Sequence, residues 1–237
     1  MKIKVIGSGS MWNAYNSASY MIDNDILIDI PNGLCKNLLR LGINPQLINH
    51  LLITHFHGDH YFDIPFYFLL KSRAKNKDIK IYCSKEGKMK SKKLINLAFP
   101  DSKKVINENI NLLYNFNLSF KINNYIVKKY LVNHGNMKPA FGYVFEDNNR
   151  NVGFTGDSAI CKNIEYIASI CEYLFCDCML IKGNLNHLGI DNIKYLSKKY
   201  SNCKFIVSHL NDDTRLELKK IKTKNIIIAY DNLEIII

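Results

Sequence analysis

LLITHFHGDHYFDI, residues 51–64, is an apolar run that ends in three histidines and an aspartate within six positions. The chain has seven histidines in 237 residues, yet His55, His57 and His60 crowd together with Asp59 between them. Core packing does not require this. Imidazoles and a carboxylate gathered at the end of a buried strand cost desolvation and repulsion unless a cation binds them. The stretch therefore predicts a strand, then a loop that carries metal ligands.

The other histidines repeat the theme. His134 follows the strand-like YIVKKYLV, His187 lies in GNLNHLGI, and His209 closes KFIVSH. Asp157, in GFTGDS, also comes directly after a predicted strand. Only His50 reads as an ordinary strand residue. Any one of these positions alone has a bland reading, such as a satisfied core histidine or a turn aspartate. Six histidines and two aspartates all leaving strands into loops is a joint pattern that packing does not explain. Imidazole nitrogen and carboxylate oxygen are zinc-type ligands, and a catalytic site keeps one position open. The set is large enough for two ions, with a carboxylate such as Asp157 able to bridge them.

Composition narrows the setting. Nothing approaches the roughly twenty apolar residues of a membrane span; the nearest run, FDIPFYFLL, is short and contains Pro65. No long apolar leader follows MKIKVIGSGS, and the seven scattered cysteines read as reduced thiols, so a cytoplasmic protein is expected. Cys176 and Cys178 read as small core residues on the apolar strand YLFCDCMLI. The net charge is +11, but only four of the 32 basic residues are arginines. Arginine is the preferred partner for bidentate phosphate contacts, and the Lys-rich stretch 85–93 reads as a solvated helix face.

The pass along the chain predicts a strand over 2–6, a hairpin turning at Asp23 and Asn24, and a helix over PNGLCKNLLRLG. A helix over 64–73, the strand IKIYC and the Lys-rich helix 84–97 follow. Residues 105–155 read mostly as strands, with Asn-rich turns at 123–125 and 146–151. The remainder predicts helices near 161–170, at DNIKYLSKKY with Asp191 as N-cap, and at DTRLELKKI. Strands are expected at YLFCDCMLI, KFIVSH, NIIIAY and EIII. Without linker, repeat or low-complexity tract, residues 1–237 are expected to be a single layered α/β domain.

H-x-H-x-D-H at 55–60, with His134, the TGDS aspartate Asp157, His209 in VSH and AYDN in the same order, resembles the metallo-β-lactamase superfamily. KVIGSGS, LIDIPNG, HGNMKPAFGY, NHLGI and VSHLNDDTR resemble its ribonuclease Z branch. The resemblance implies a four-layer αβ/βα sandwich of two mixed β-sheets flanked by helices. It also implies a metal site in which His55, His57 and His134 hold one divalent ion, Asp59, His60 and His209 the other, and Asp157 bridges. Zinc is the expected metal, with manganese or iron as alternatives, and relatives in this branch often pair as homodimers. His187 would contact phosphate and protonate the leaving oxygen, and Asp29 would orient a ligand histidine; Lys138 and Tyr143 are weaker candidates for substrate contact. The interval from His134 to Asp157 is too short for the branch's tRNA-gripping arm, and CDCMLIKGN departs from its usual acidic strand end. The expected activity is thus phosphodiester hydrolysis, by a hydroxide held between the metals, of a cyclic nucleotide, cyclic phosphate or short RNA end. Hydrolysis of a thioester or lactone, iron redox chemistry and a binding module without turnover are the alternatives.

Overall fold

The computed structural model describes residues 1–147 and 150–237. The strands in chain order are β1 (Lys2–Gly7), β2 (Ser19–Ile22), β3 (Ile26–Ile28), β4 (His50–Leu52), β5 (Asp78–Tyr82), β6 (Asn111–Asn115), β7 (Ser119–Ile122), β8 (Tyr125–His134), β9 (Met137–Asp147), β10 (Arg150–Phe154), β11 (Tyr173–Asp177), β12 (Lys204–Ser208), β13 (Ile226–Ile228) and β14 (Glu234–Ile236). The helices are α1 (Leu34–Arg40), α2 (Gly58–Tyr61), α3 (Ile64–Lys71), α4 (Lys85–Ala98), α5 (Lys103–Asn109), α6 (Lys162–Ile170), α7 (Ile190–Lys199) and α8 (Asp212–Leu218). The chain divides into two compact units, one of residues 1–6, 17–116 and 232–237, the other of residues 7–16 and 117–231.

The first unit is built on a seven-stranded mixed sheet, ordered β14-β1-β2-β3-β4-β5-β6. The hairpin β2–β3 forms where expected: Asp23 and Asn24 take φ 48° and 60°, a left-handed conformation that short Asx side chains tolerate. From β3 to β6 the pairings are all parallel. Leu34 and Leu38 of α1 and Ile64, Tyr67 and Phe68 of α3 pack with Leu27, Leu51 and Ile81 of the sheet. Strands β2, β3 and β4 bury every residue, Ser19 and His50 included, and so show no apolar–polar alternation.

The second unit carries a seven-stranded sheet, ordered β13-β12-β11-β10-β9-β8-β7, antiparallel from β7 to β10 and parallel from β10 to β13. Ile164 and Ile167 of α6, with Ile190, Ile193 and Leu196 of α7, pack on Leu174, Cys176, Phe205 and Val207. Cys176 and Cys178 are core residues there, as the sequence indicates. On β10 and β11, Phe154 and Phe175 stack at 4.8 Å, and such a ring pair adds about 0.5–1.5 kcal/mol beyond its burial.

Several local expectations are corrected. Residues 103–109 are helical rather than extended, with Ile106 buried and both its neighbours exposed. Helix α7 starts one residue earlier than read, capped by Gly189; Asp191 lies in its first turn and accepts the Gly183 N–H at 2.8 Å. Strand β11 ends at Asp177, several residues before the end of the apolar run. Of the Asn-rich turn expected over 146–151, Asn148 and Asn149 lie outside the described residues. Among the described residues no helix is long and apolar enough to cross a membrane.

Candidate metal centre

In the first unit the polar residues leave the carboxyl ends of adjacent parallel strands, the edge where open α/β sheets bind ligands. Ile28 of β3 pairs with Leu52 of β4, so Asp29 and Thr54 emerge side by side. Asp29 takes φ 59°, an uncommon conformation for a non-glycine residue, and is 3% exposed. Its carboxylate accepts the Thr54 N–H at 2.8 Å and the Thr54 hydroxyl at 2.7 Å. It also lies 2.8 Å from His60 Nδ1. Burial pushes the Asp29 carboxyl up from its ordinary value, against the opposing pull of His60 and Thr54.

These contacts set imidazole tautomers. The Thr54 hydroxyl spends its proton on Asp29, so at 3.0 Å it accepts from His55 Nδ1. His60 likewise gives Nδ1–H to Asp29. Both rings are left with Nε2 lone pairs. Helix α2 begins at once after His57 and turns Asp59 and His60 inward, with His60 Nε2 3.7 Å from Asp59. His55 Nε2 faces His57 Nδ1 at 3.1 Å, a separation that suits two donors on one ion.

The second unit assembles its cluster from four strand ends. His134 ends β8 just past a register shift at Val132. Its Nδ1 donates to the Asn186 carbonyl at 2.7 Å, which leaves Nε2 as the lone-pair nitrogen. Gly135 at φ 54° permits this approach, since a Cβ there would meet Asn186 Oδ1 at 2.0 Å. Asp157 follows β10. His209, at φ 56°, follows β12 and turns Nε2 to 3.5 Å from Asp157 Oδ2. His134 Nε2 lies 3.9 Å from that oxygen. These spacings are long for hydrogen bonds and suit donors that share a cation.

Asp177, the last residue of β11, completes the cluster, and the sequence reading passed over it. Oδ2 lies 2.9 Å from His187 Nδ1 and Oδ1 lies 3.4 Å from His209 Nδ1. Asp177 also accepts the N–H groups of Ser158 and Met179. An acidic strand end is therefore present, contrary to the expectation for CDCMLIKGN. Burial works to raise the Asp177 carboxyl, but the hydrogen bonds from His187 and His209, with the His187 charge, hold it below its ordinary value. Burial works to lower the His187 imidazolium, but the hydrogen bond and charge of Asp177, helped by Asp157, hold it above its ordinary value. The signal available in the sequence was a carboxylate within an apolar strand, which is costly without partners.

His187 and His209 stack with ring centroids 5.3 Å apart. Asp157, Asp177, His187 and His209 can each bring a ligand atom within 4.8 Å of the others. All of the predicted ligands thus fall into one of two clusters, His55, His57, Asp59 and His60 in one unit and His134, Asp157 and His209 in the other. Of the weaker candidates, Tyr143 is fully buried in β9 and Lys138 is exposed. His50 is a core histidine at 3.0 Å from the Tyr82 hydroxyl. The donor chemistry fits a divalent cation: imidazole nitrogens with their other ring nitrogen held by oxygen acceptors, beside carboxylates.

Residues 1–229 match the family model described as Anti-Pycsar protein Apyc1. The chain belongs to that family. It also resembles the ribonuclease Z of Pyrococcus abyssi (strain GE5 / Orsay), 32% identical over 132 residues, which cover 54% of this chain and 41% of that protein. The matched segment therefore spans about two fifths of that relative. Among solved structures, a diphosphatase from the PhnP family superposes with TM-score 0.79 at 19% identity, covering 100% of this chain and 97% of the other. Human tRNase Z, short form, superposes with TM-score 0.75 at 16% identity, covering 99% and 98%. The fold is the expected α/β metallo-β-lactamase fold, and over about half of its length the chain is similar in sequence to ribonuclease Z.

Proposed function

We propose that the protein is a metal-dependent phosphodiesterase acting on a cyclic nucleotide, a cyclic phosphate or a short RNA end. The observation that carries this reading is the Asp177–His187 pair set beside Asp157 and His209. The ribonuclease Z and PhnP-family likenesses, both of proteins named for cleaving phosphorus–oxygen bonds, support it. His55, His57 and His134 would hold one divalent ion and Asp59, His60 and His209 the other, with Asp157 between; zinc suits these donors, as do manganese and iron. Such ions, when bound, supply Lewis acidity toward phosphoryl oxygen and a water acidified to a pKa of roughly 7.

The chain's own residues do the rest. Asp29 and Asp177 fix the rings they touch, so Nε2 of His60 and of His187 have one direction each. His187 is pinned through Nδ1, which makes Nε2 the atom that gives its proton to the departing oxygen. Asp177 holds the pKa of that ring above its ordinary value and offsets the charge of its protonated form. Partial exposure of His187, with its side chain 15% accessible, lets substrate reach it. The remaining parts of the same reading are a cytoplasmic location and pairing into a homodimer.

The test is hydrolysis of bis(4-nitrophenyl) phosphate by protein loaded with zinc or manganese, alongside thioester and lactone substrates. Wild type should cleave the phosphodiester. Asp59→Ala and His187→Ala should each lose about 10²- to 10⁴-fold in kcat. Turnover of the thioester or lactone without the phosphodiester, or a His187→Ala variant as active as wild type, would contradict the reading.

A further inference from the structure

Asp231, the aspartate of the AYDN motif, belongs to neither histidine cluster, yet its carboxylate gathers both ends of one loop of the second unit. Oδ1 accepts the Ser8 N–H and the Ser8 hydroxyl, both at 2.9 Å. Oδ2 accepts the Asn16 N–H at 2.9 Å and the Asn16 side-chain amide at 2.7 Å. The Gly9 N–H donates to the Asn16 carbonyl at 2.9 Å, which closes the neck of the loop 7–16. Arg215 braces the same neck, with Nη2 on the Ser8 hydroxyl at 3.1 Å and Nη1 on the Ala229 carbonyl at 2.6 Å. Gly9 is required where it stands, because a Cβ there would come within 2.3 Å of Asn13 Oδ1 and 2.7 Å of Tyr15 Cβ.

The braced neck grips the residue directly after His209. The Leu210 N–H donates to the Ser8 carbonyl at 3.1 Å, the Ser10 N–H donates to the Leu210 carbonyl at 3.2 Å, and the Asn13 amide also reaches that carbonyl. The Ser10 hydroxyl donates to Asn211 Oδ1 at 2.5 Å. His209 itself stands at φ 56°, a left-handed conformation that a non-glycine residue keeps only where its surroundings over-determine it. On one side Ser208 is fixed in β12, in register with Asp177. On the other side Leu210 is fixed by the loop. Between these two anchors the His209 ring points Nε2 to 3.5 Å from Asp157 and Nδ1 to 3.4 Å from Asp177.

We propose that Asp231 is a positioning residue for His209, acting through Ser8 and Leu210 to hold that imidazole where it can bind metal. This rests on the reading of His209 as a metal ligand. The path has one residue per link. Ser8 is fully buried, so without the carboxylate its N–H is left with no acceptor, a cost that the exposed Asn16 escapes by turning to water. Ser8 must then move to regain a partner, and its carbonyl is the acceptor of the Leu210 N–H. Leu210 moves with it, and the backbone at His209 loses one of its two anchors. Arg215 holds Ser8 from the other side and limits the shift, so the expected outcome is a ligand held less well rather than a ligand lost.

Two readouts that need no turnover test this. In metal-free protein, amide hydrogen exchange followed by NMR reads the corner directly. Asp231→Ala should speed exchange at Leu210 by about tenfold or more, while the amides of β8, four strands along the sheet from β12, keep their wild-type rates. Zinc affinity, read by competition with a chromogenic chelator, should fall about tenfold in the same variant. Asp231→Asn keeps one accepting oxygen and should recover part of both losses; it carries both readouts if Asp231→Ala does not fold. Ser8→Ala, which keeps the main-chain N–H and carbonyl, should lose less than Asp231→Ala. A Leu210 amide as slow as in wild type, or β8 amides accelerated as much as Leu210, would overturn the proposal, the second because the loss would then be global. A wild type that binds no zinc defeats the metal reading and the proposal with it, whereas a zinc-binding wild type matched in affinity by Asp231→Ala defeats the proposal alone.

Discussion

In residues 55–60, four polar side chains come from one loop and a single turn of helix, whereas the second unit draws His134, Asp157, Asp177, His187 and His209 from β8, β10, β11, a loop and β12. Beneath that difference lies a shared device. Each unit ends a strand in a buried aspartate whose carboxylate holds imidazole Nδ1 atoms: Asp29 holds His60 directly and His55 through Thr54, and Asp177 holds His187 and lies near His209. The orienting carboxylate, more than the histidines, is what the two clusters have in common. The units diverge in what the aspartate serves. Asp29 touches a ring expected to bind metal, while Asp177 touches both such a ring and the partly exposed His187.

Removing the two aspartates one at a time sharpens this contrast. Outer partners of metal ligands are worth roughly 10- to 100-fold in metal affinity or activity. Asp177→Asn should therefore lower kcat by about that factor and also weaken metal binding, because it touches the proposed proton donor His187 and the proposed ligand His209. Asp29→Asn should act mainly on metal affinity, with kcat recovering at saturating metal. Metal titrations followed by steady-state kinetics separate the two. Equal recovery of both variants at high metal would erase the distinction between the units.

A smaller effect concerns pH and the metal-free protein. Asp177 is held below its ordinary value, so its stabilisation is present above about pH 3.9, the unfolded value, and is lost as pH falls through the lower folded one. His187 is held above its ordinary value, so its stabilisation is full below about pH 6.5 and is lost as pH rises through the higher folded one. Together they stabilise most between about pH 4 and 6.5. The difference in urea midpoint between wild type and Asp177→Asn should be largest in that window and shrink on both sides. A difference that is flat across pH would show that the pair acts by packing alone.

How much of this was legible in the sequence follows the same division. A motif compressed into six residues announces itself, and Asp29 was readable because LIDI places it at a strand end. The proposed ligands of the second unit were readable only by their order along the chain. Asp177 escaped because Cys176 and Cys178 on either side suggested an apolar strand; the period of two sends those thiols to the helices and the carboxylate to the other face. The pairing of β14 with β1 joins residues 236 and 2, a contact that no local pattern encodes. Helix α5 escaped because, among its described side chains, Ile106 alone is buried, leaving little apolar periodicity to read. The loop 7–16 opens with the Gly-Ser run that follows β1, but its closure on Asp231, more than 200 residues away, has no local signal.

The most direct test of the central claim, that both clusters are metal ligands, is the metal content of purified protein after saturation with zinc and removal of free ion. Wild type should retain roughly two ions per chain, and His57→Ala and His209→Ala, each folded by circular dichroism, should both retain fewer. Wild type that holds no metal, or a His209→Ala variant that keeps the full wild-type content, would contradict it.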